Sequence, residues 1–98
     1  MLAEARSRIR RYTPEEARAD DELLLVDIRS ADERERLGAI PGAQHIPLSV
    51  LPWRTEQLAS RRVCLVCAQG YSSSLAAAQL VELGVDAGDL IGGYEAWS

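Results

Sequence analysis

Lysine and phenylalanine are both missing from these 98 residues. All eleven cations are arginine, which reads as a bias toward GC-rich codons with no mechanism attached. An excess of positive charge is missing too. The net charge is −4, which argues against a general nucleic-acid role. No apolar run approaches the roughly 20 residues of a membrane span. Met1 to Arg11 alternates charge with small residues and lacks an apolar centre, so it does not read as a secretory signal. Cysteine is scarce, with two residues. Without a signal, that fits a reducing, cytoplasmic compartment. Internal repeats and low-complexity stretches are absent. What remains is an ordinary hydrophobic content in a chain of one-domain length. Such a chain buries roughly 60–65% of its unfolded surface, enough for a real core.

Two helix starts are written locally. Thr13-Pro14-Glu15-Glu16 places a threonine N-cap, a proline at the first helical position and a glutamate that completes a capping box. This predicts a short helix ending near Asp20. Ser30-Ala31-Asp32-Glu33 repeats the pattern and predicts a helix to about Leu37. Continuous apolar runs over Leu23–Ile28 and Arg62–Cys67 read as buried parallel strands. Gln44–Pro47 and Asp89–Ile91 read as shorter ones. Leu48 to Leu58 is mixed, a short helix interrupted near Pro52. Ser72 or Ser73 is expected to cap a long helix that Gly84 ends. Gly92-Gly93 turns the chain into a final stub from Tyr94. Apolar strands alternating with capped helices predict an α/β fold, a parallel sheet with helices on both faces. Ligands in such sheets bind outside the carboxyl ends of the strands.

One of those ends carries a thiol. The run Val63–Val66 leads into Cys67, then a small polar loop, Ala68-Gln69-Gly70-Tyr71-Ser72-Ser73, then a helix. Helix N-termini present unpaired N–H groups and stabilise anions. Placement there can lower a cysteine pKa from about 8.5 into the range ~3.5–7.5. The loop residues are small enough for their N–H groups to turn inward as an anion nest. Cys67 therefore reads as a nucleophile. Cys64 and Cys67 form a C-x-x-C, yet the spacing lies inside a strand. Three strand residues rise about 10 Å, and a disulfide needs Cα atoms within about 7 Å. Cys64 reads as a small buried hydrophobe.

Four segments together resemble a single-domain rhodanese, from about Tyr12 to Trp97. They are Leu25-Val26-Asp27-Ile28-Arg29, Gly38-Ala39-Ile40-Pro41-Gly42-Ala43, Cys67 to Ser73, and Gly92-Gly93-Tyr94-Glu95-Ala96-Trp97. The second has alanine where the family places histidine. The resemblance implies a three-layer αβα fold with five parallel strands, residues 12–98 forming the domain and 1–11 an N-terminal arm. It implies a sulfurtransferase: Cys67 takes the outer sulfur of a small donor such as thiosulfate and holds it as a persulfide. It then passes the sulfur to cyanide, a thiol or a protein acceptor, with no metal or organic cofactor and no nucleic acid or membrane involved. The loop from Ala68 through Gln69, Gly70, Tyr71 and Ser72 to Ser73 would hold the anionic sulfur. The chain departs from the family at Ser72, where many members have arginine. Arg29 or Arg54 is expected to supply the missing charge. The alternative is a persulfide-carrying or catalytically idle module that docks on a protein partner. A Cys-x5-Arg phosphatase is disfavoured, because the sixth residue after Cys67 is Ser73.

The remaining polar residues are expected in supporting roles. Asp27 ties down adjacent loop amides. Gly92 and Gly93 let backbone approach the catalytic loop. Tyr71 lines the pocket mouth. His45 is a packed or solvated residue rather than a general base, Trp53 and Trp97 are packing anchors, and Arg6 to Arg11 form a solvated, mobile arm.

Overall fold

Five strands, all paired in parallel, form one sheet in the order β1 (Arg10–Tyr12), β5 (Asp86–Leu90), β4 (Arg62–Val66), β2 (Leu24–Asp27), β3 (Gln44–His45). The computed structural model describes residues 2–97. In chain order the elements are α1 (Leu2–Ser7), β1 (Arg10–Tyr12), α2 (Pro14–Ala19), β2 (Leu24–Asp27), α3 (Ala31–Leu37) and β3 (Gln44–His45). A 3₁₀ segment (Leu48–Arg54) follows, then α4 (Thr55–Leu58), β4 (Arg62–Val66), α5 (Ser72–Glu82), β5 (Asp86–Leu90) and α6 (Gly93–Trp97). Among the described residues no helix is long and apolar enough to cross a membrane.

Both capping boxes form. Thr13 Oγ1 accepts from Glu16 N, and Ser30 Oγ accepts from Glu33 N, each at 3.1 Å. The glutamates reach back to the cap amides. The long helix starts differently from expectation. Its N-cap is Tyr71, with no side-chain cap bond, because Ser73 and Ser74 turn inward to a buried carboxylate. The arginine-rich start also differs. Arg10–Tyr12 is the edge strand beside β5, and α1 packs on α5 with Ala5 buried. Residues 6–11 are thus built into the fold instead of forming a solvated arm.

Alternation along β4 divides the core. Val63, Leu65 and Cys67 face a cluster containing Leu51, Leu58, Ala76, Ala77 and Leu80, the side of α4 and α5. Cys64 and Val66 face Tyr12, Ala17, Leu23 and Leu90, with Tyr94 and Trp97 against them, the side of α2 and α6. Trp53 takes no part: it is 83% exposed. The tryptophan sits in a 3₁₀ segment that buries only Leu51.

Strand order locates the functional crevice. The chain leaves β2 toward β3 on one side and leaves β4 toward β5 on the other. Neighbouring strands whose connections diverge open a gap at their carboxyl ends, where ligands of such sheets bind. Here the ends are Asp27-Ile28-Arg29 and Cys67.

Candidate active site

A cleft of about 680 Å³ opens at that point, lined by Ile28, Ser30, Glu33, Leu48, Cys67, Gln69, Tyr71 and Ser72 among others. Cys67 forms its floor, 8% exposed. Its Sγ accepts from Gly70 N at 3.0 Å and from Ser73 N at 3.4 Å. As a thiol it donates to Ser73 Oγ at 3.3 Å. The main chain thus wraps two N–H groups around one sulfur, as an anion requires. Gly70 can do so because its φ is +91°, a region glycine enters freely.

The loop is buttressed from below by α6. Tyr94 N donates to Cys67 O at 2.8 Å, and Glu95 N donates to Ala68 O at 3.1 Å. Gly93 (φ +63°) permits the approach, since a Cβ there would collide with Cys67 O and lie 2.8 Å from Ala68 C. Gly92 N would lie 3.1 Å from a Cβ on Gly70. Gln69 Nε2 donates to Glu95 Oε2 at 2.9 Å. Tyr71 stands at the cleft mouth, 59% exposed.

Asp27 and Arg29 form a buried pair. Asp27 Oδ1 accepts from Arg29 N (3.1 Å) and Nε (2.9 Å), and Oδ2 accepts from Nη2 (2.7 Å). Nη2 also donates to Gly38 O at 2.7 Å, which joins the Gly38–Ala43 turn to the end of β2. The guanidinium lies 4.1 Å from the Tyr94 ring centroid, and Nη1 has no hydrogen-bond partner among the described residues. The hydrogen bond to Asp27 raises the arginine's pKa against the opposing effect of burial. Arg29 therefore stays charged, but its side chain has no exposed surface. Arg29 borders the cleft, but with its side chain fully covered it presents main chain there and its guanidinium stays in the pair beneath. Arg54 does not supply the charge either. It is exposed, bonds Gln57 and does not line the cleft. His45 Nε2 bonds Arg29 O at 2.8 Å.

Three residues outside the sequence-based set join the site. Asp89 is fully buried and accepts from Ser73 Oγ (2.9 Å), Ser74 Oγ (2.6 Å) and Arg11 Nε (2.8 Å). Arg11 is its register partner on the neighbouring strand. Arg6, from α1, donates to Gly70 O and Ser74 Oγ. Asp89 had a signal, an acid inside an apolar strand. Arg6 and Arg11 had none, because their roles depend on β1 lying beside β5. Cys64 is free and buried, and burial, reinforced by the Asp89 charge, pushes its thiol pKa up. Of the two cysteines, only Cys67 lies in the cleft.

Known proteins resemble this chain in sequence and in fold. A Bacillus subtilis (strain 168) protein named "Putative sulfurtransferase YtwF" is 34% identical over 84 residues, 85% of this chain and 81% of that protein. The solved structure of RPA3614 from Rhodopseudomonas palustris CGA009 is described as of unknown function and a possible tyrosine phosphatase. It superposes with a TM-score of 0.87 at 28% identity, covering 98% of this chain and 84% of that one. A rhodanese-like domain protein from Staphylococcus aureus superposes with a TM-score of 0.83 at 27% identity, over 92% of each chain. Since the rhodanese-like domain model matches residues 13–98, this chain belongs to the rhodanese-like domain family.

Proposed function

We propose that this protein is a sulfurtransferase that carries sulfane sulfur as a persulfide on Cys67. The observation that carries the reading is the pair of main-chain N–H groups, Gly70 and Ser73, on Cys67 Sγ at the floor of an open cleft. Cys67 thiolate attacks the outer sulfur of the donor. The donor's S–S bond breaks and its inner sulfur leaves with the electron pair, as sulfite from thiosulfate or as a thiolate from a persulfide. The terminal sulfur on Cys67 is then attacked by cyanide or a thiolate, and Cys67 leaves as thiolate. Each half is a two-electron displacement, so ping-pong kinetics are expected. The Ala68–Ser73 amides hold the anionic sulfur in both halves.

Mass spectrometry after incubation with thiosulfate tests this. A gain of about 32 Da on Cys67, one sulfur atom on a reactive thiolate, with matching sulfite release, is the expected result. Absence of the adduct with thiosulfate and with small persulfides alike would rule the reading out.

One feature supports a second reading, a carrier that receives its sulfur from a protein partner. No residue from Ala68 to Ser74 is charged, and Glu33 lines the cleft, which suits a dianionic donor poorly. Persulfide formation from a partner's persulfide, with no sulfite release from thiosulfate, would favour the carrier.

A further inference from the structure

Arg6 stands behind the catalytic loop, on a helix outside residues 13–98, which the family model matches. Its Nη2 donates to Gly70 O at 3.0 Å and its Nε to Ser74 Oγ at 3.1 Å. Gly70 is also the residue whose N–H meets Cys67 Sγ. A single residue therefore joins sulfur to guanidinium, its amide on one and its carbonyl on the other. With φ at +91° and no side chain, Gly70 is the loop residue with the greatest conformational freedom. Ser74 Oγ, 3.1 Å from the same carbonyl, joins the brace, and its stronger bond runs to Asp89 at 2.6 Å.

The charge is distinctive as well. Arg11 pairs with Asp89, Arg29 with Asp27, and Arg8 with Glu4 and Glu82. Arg6 bonds only neutral oxygens, and among the described residues no carboxylate pairs with it. It is half-buried, where solvent screens a charge less than at the surface. A positive charge without a carboxylate partner thus lies one residue from the sulfur, in a loop that has no charged side chain of its own.

We propose that Arg6 is a positioning residue for sulfur transfer. It pins the Gly70 carbonyl outward, which keeps Gly70 N–H on the Cys67 sulfur. Its charge favours the thiolate and the persulfide anion. It thereby performs, from outside the family-matched residues, the electrostatic work that Ser72 cannot. The inference rests on the sulfur-transfer reading for its consequence in turnover, but its effect on the thiolate is measurable alone.

The test compares the native protein with Arg6→Ala, Arg6→Lys and Arg8→Ala. Two rates are followed at neutral pH, alkylation of Cys67 by iodoacetamide and sulfur transfer from thiosulfate to cyanide. Arg6→Ala is expected to slow alkylation about tenfold, the loss of one charge-assisted bond. In transfer, kcat should fall by a similar factor while KM changes little. Arg6→Lys, which keeps the charge but not the fork, should fall between. Millimolar guanidinium chloride should restore part of the Arg6→Ala rate, and sodium chloride at the same concentration should not. Arg8→Ala, just past the end of α1, breaks the exposed pairs to Glu4 on α1 and Glu82 on α5 and should leave both rates unchanged. If Arg6→Ala lowers the melting temperature, Arg6→Met replaces it, keeping the packing of the stem. A folded Arg6 variant that alkylates at the native rate would overturn the proposal, as would an equal loss in Arg8→Ala, which would reduce the effect to docking of α1. If alkylation depends on Arg6 but no donor loads the native protein, the sulfur-transfer reading fails while the role of Arg6 at the thiolate stands.

Discussion

Cys64 and Cys67 are three residues apart and face opposite sides of the sheet. Cys64 is fully buried in mid-strand among apolar side chains. Cys67 ends the strand beneath two amides and an open cleft. Replacing Cys67 with serine should abolish sulfur transfer, whereas Cys64→Ala should leave most of it. Both are measured as cyanide-dependent thiocyanate formation in variants checked for folding. Equal losses in two folded variants would defeat the assignment. Ser72 is the second residue where chemistry can be tuned. It is exposed and lines the cleft, so a guanidinium there would meet an anionic donor directly. A well-placed charge-assisted bond is worth on the order of 1.5–3 kcal/mol. Even a third of that lowers the KM for thiosulfate several-fold, so Ser72→Arg should improve thiosulfate use in steady-state kinetics. A lower kcat/KM in the folded variant would mean that the cleft is shaped for a different donor. Ser73 illustrates why neighbouring serines resist reading from sequence. Ser72 or Ser73 is the expected helix cap, and capping is a local rule, but Ser73 and its neighbour Ser74 are drawn inward. Their hydroxyls instead answer to Asp89, fifteen or more residues away in the chain.

Local chemistry made several elements legible. The two capping boxes fix α2 and α3 because all their atoms lie within four residues. The strands β2 and β4 are apolar runs. By contrast, β1 has three residues, two of them arginines. It is an edge strand, so one side of it needs no sheet partner and no apolar run marks it. The helix α1 is short and charged, and only its docking on α5 gives it meaning. The same holds at the site. Cys67 and its loop were readable as one segment, whereas the contributions of Arg6, Arg11 and Asp89 depend on strand order. The contact of α6 with the loop lies between these cases, because the Gly92-Gly93 pair signals a close approach without naming its target. A matched pair of variants measures that approach. Gly84 and Gly93 both have positive φ (+90° and +63°), but a Cβ on Gly84 meets nothing within 4 Å. Gly84→Ala should cost about 1 kcal/mol, from backbone strain alone. Gly93→Ala adds a collision with the Cys67 carbonyl, so it should cost more, lowering Tm by roughly 4–8 °C per kcal/mol, and slow sulfur transfer. Thermal denaturation beside transfer rates checks both, and equal behaviour of the two variants would mean that the loop tolerates a displaced α6.

At the scale of the molecule, the sheet's strand order brings two carboxyl ends together, and the total charge sets how a donor arrives there. The protein carries a net −4. At the cleft, Glu33 is part of the lining while Arg29 is buried in its pair with Asp27. Arg6 stands behind the loop, away from the entrance formed by Tyr71. A dianion such as thiosulfate therefore approaches against the overall field and meets positive charge only after reaching the sulfur. Screening reduces that opposition, because the Debye length shrinks from about 30 Å at 0.01 M salt to about 10 Å at 0.1 M. The expected outcome is a kcat/KM for thiosulfate that rises with ionic strength over this range, the reverse of an electrostatically steered enzyme. For a donor without net charge, an organic persulfide in its protonated form, kcat/KM should stay flat across the same series. The contrast separates approach from chemistry, since the Cys67 step is common to both donors. A fall in kcat/KM for thiosulfate with added salt would show that attraction governs its entry, and the charge behind the loop would then extend its influence to the cleft mouth.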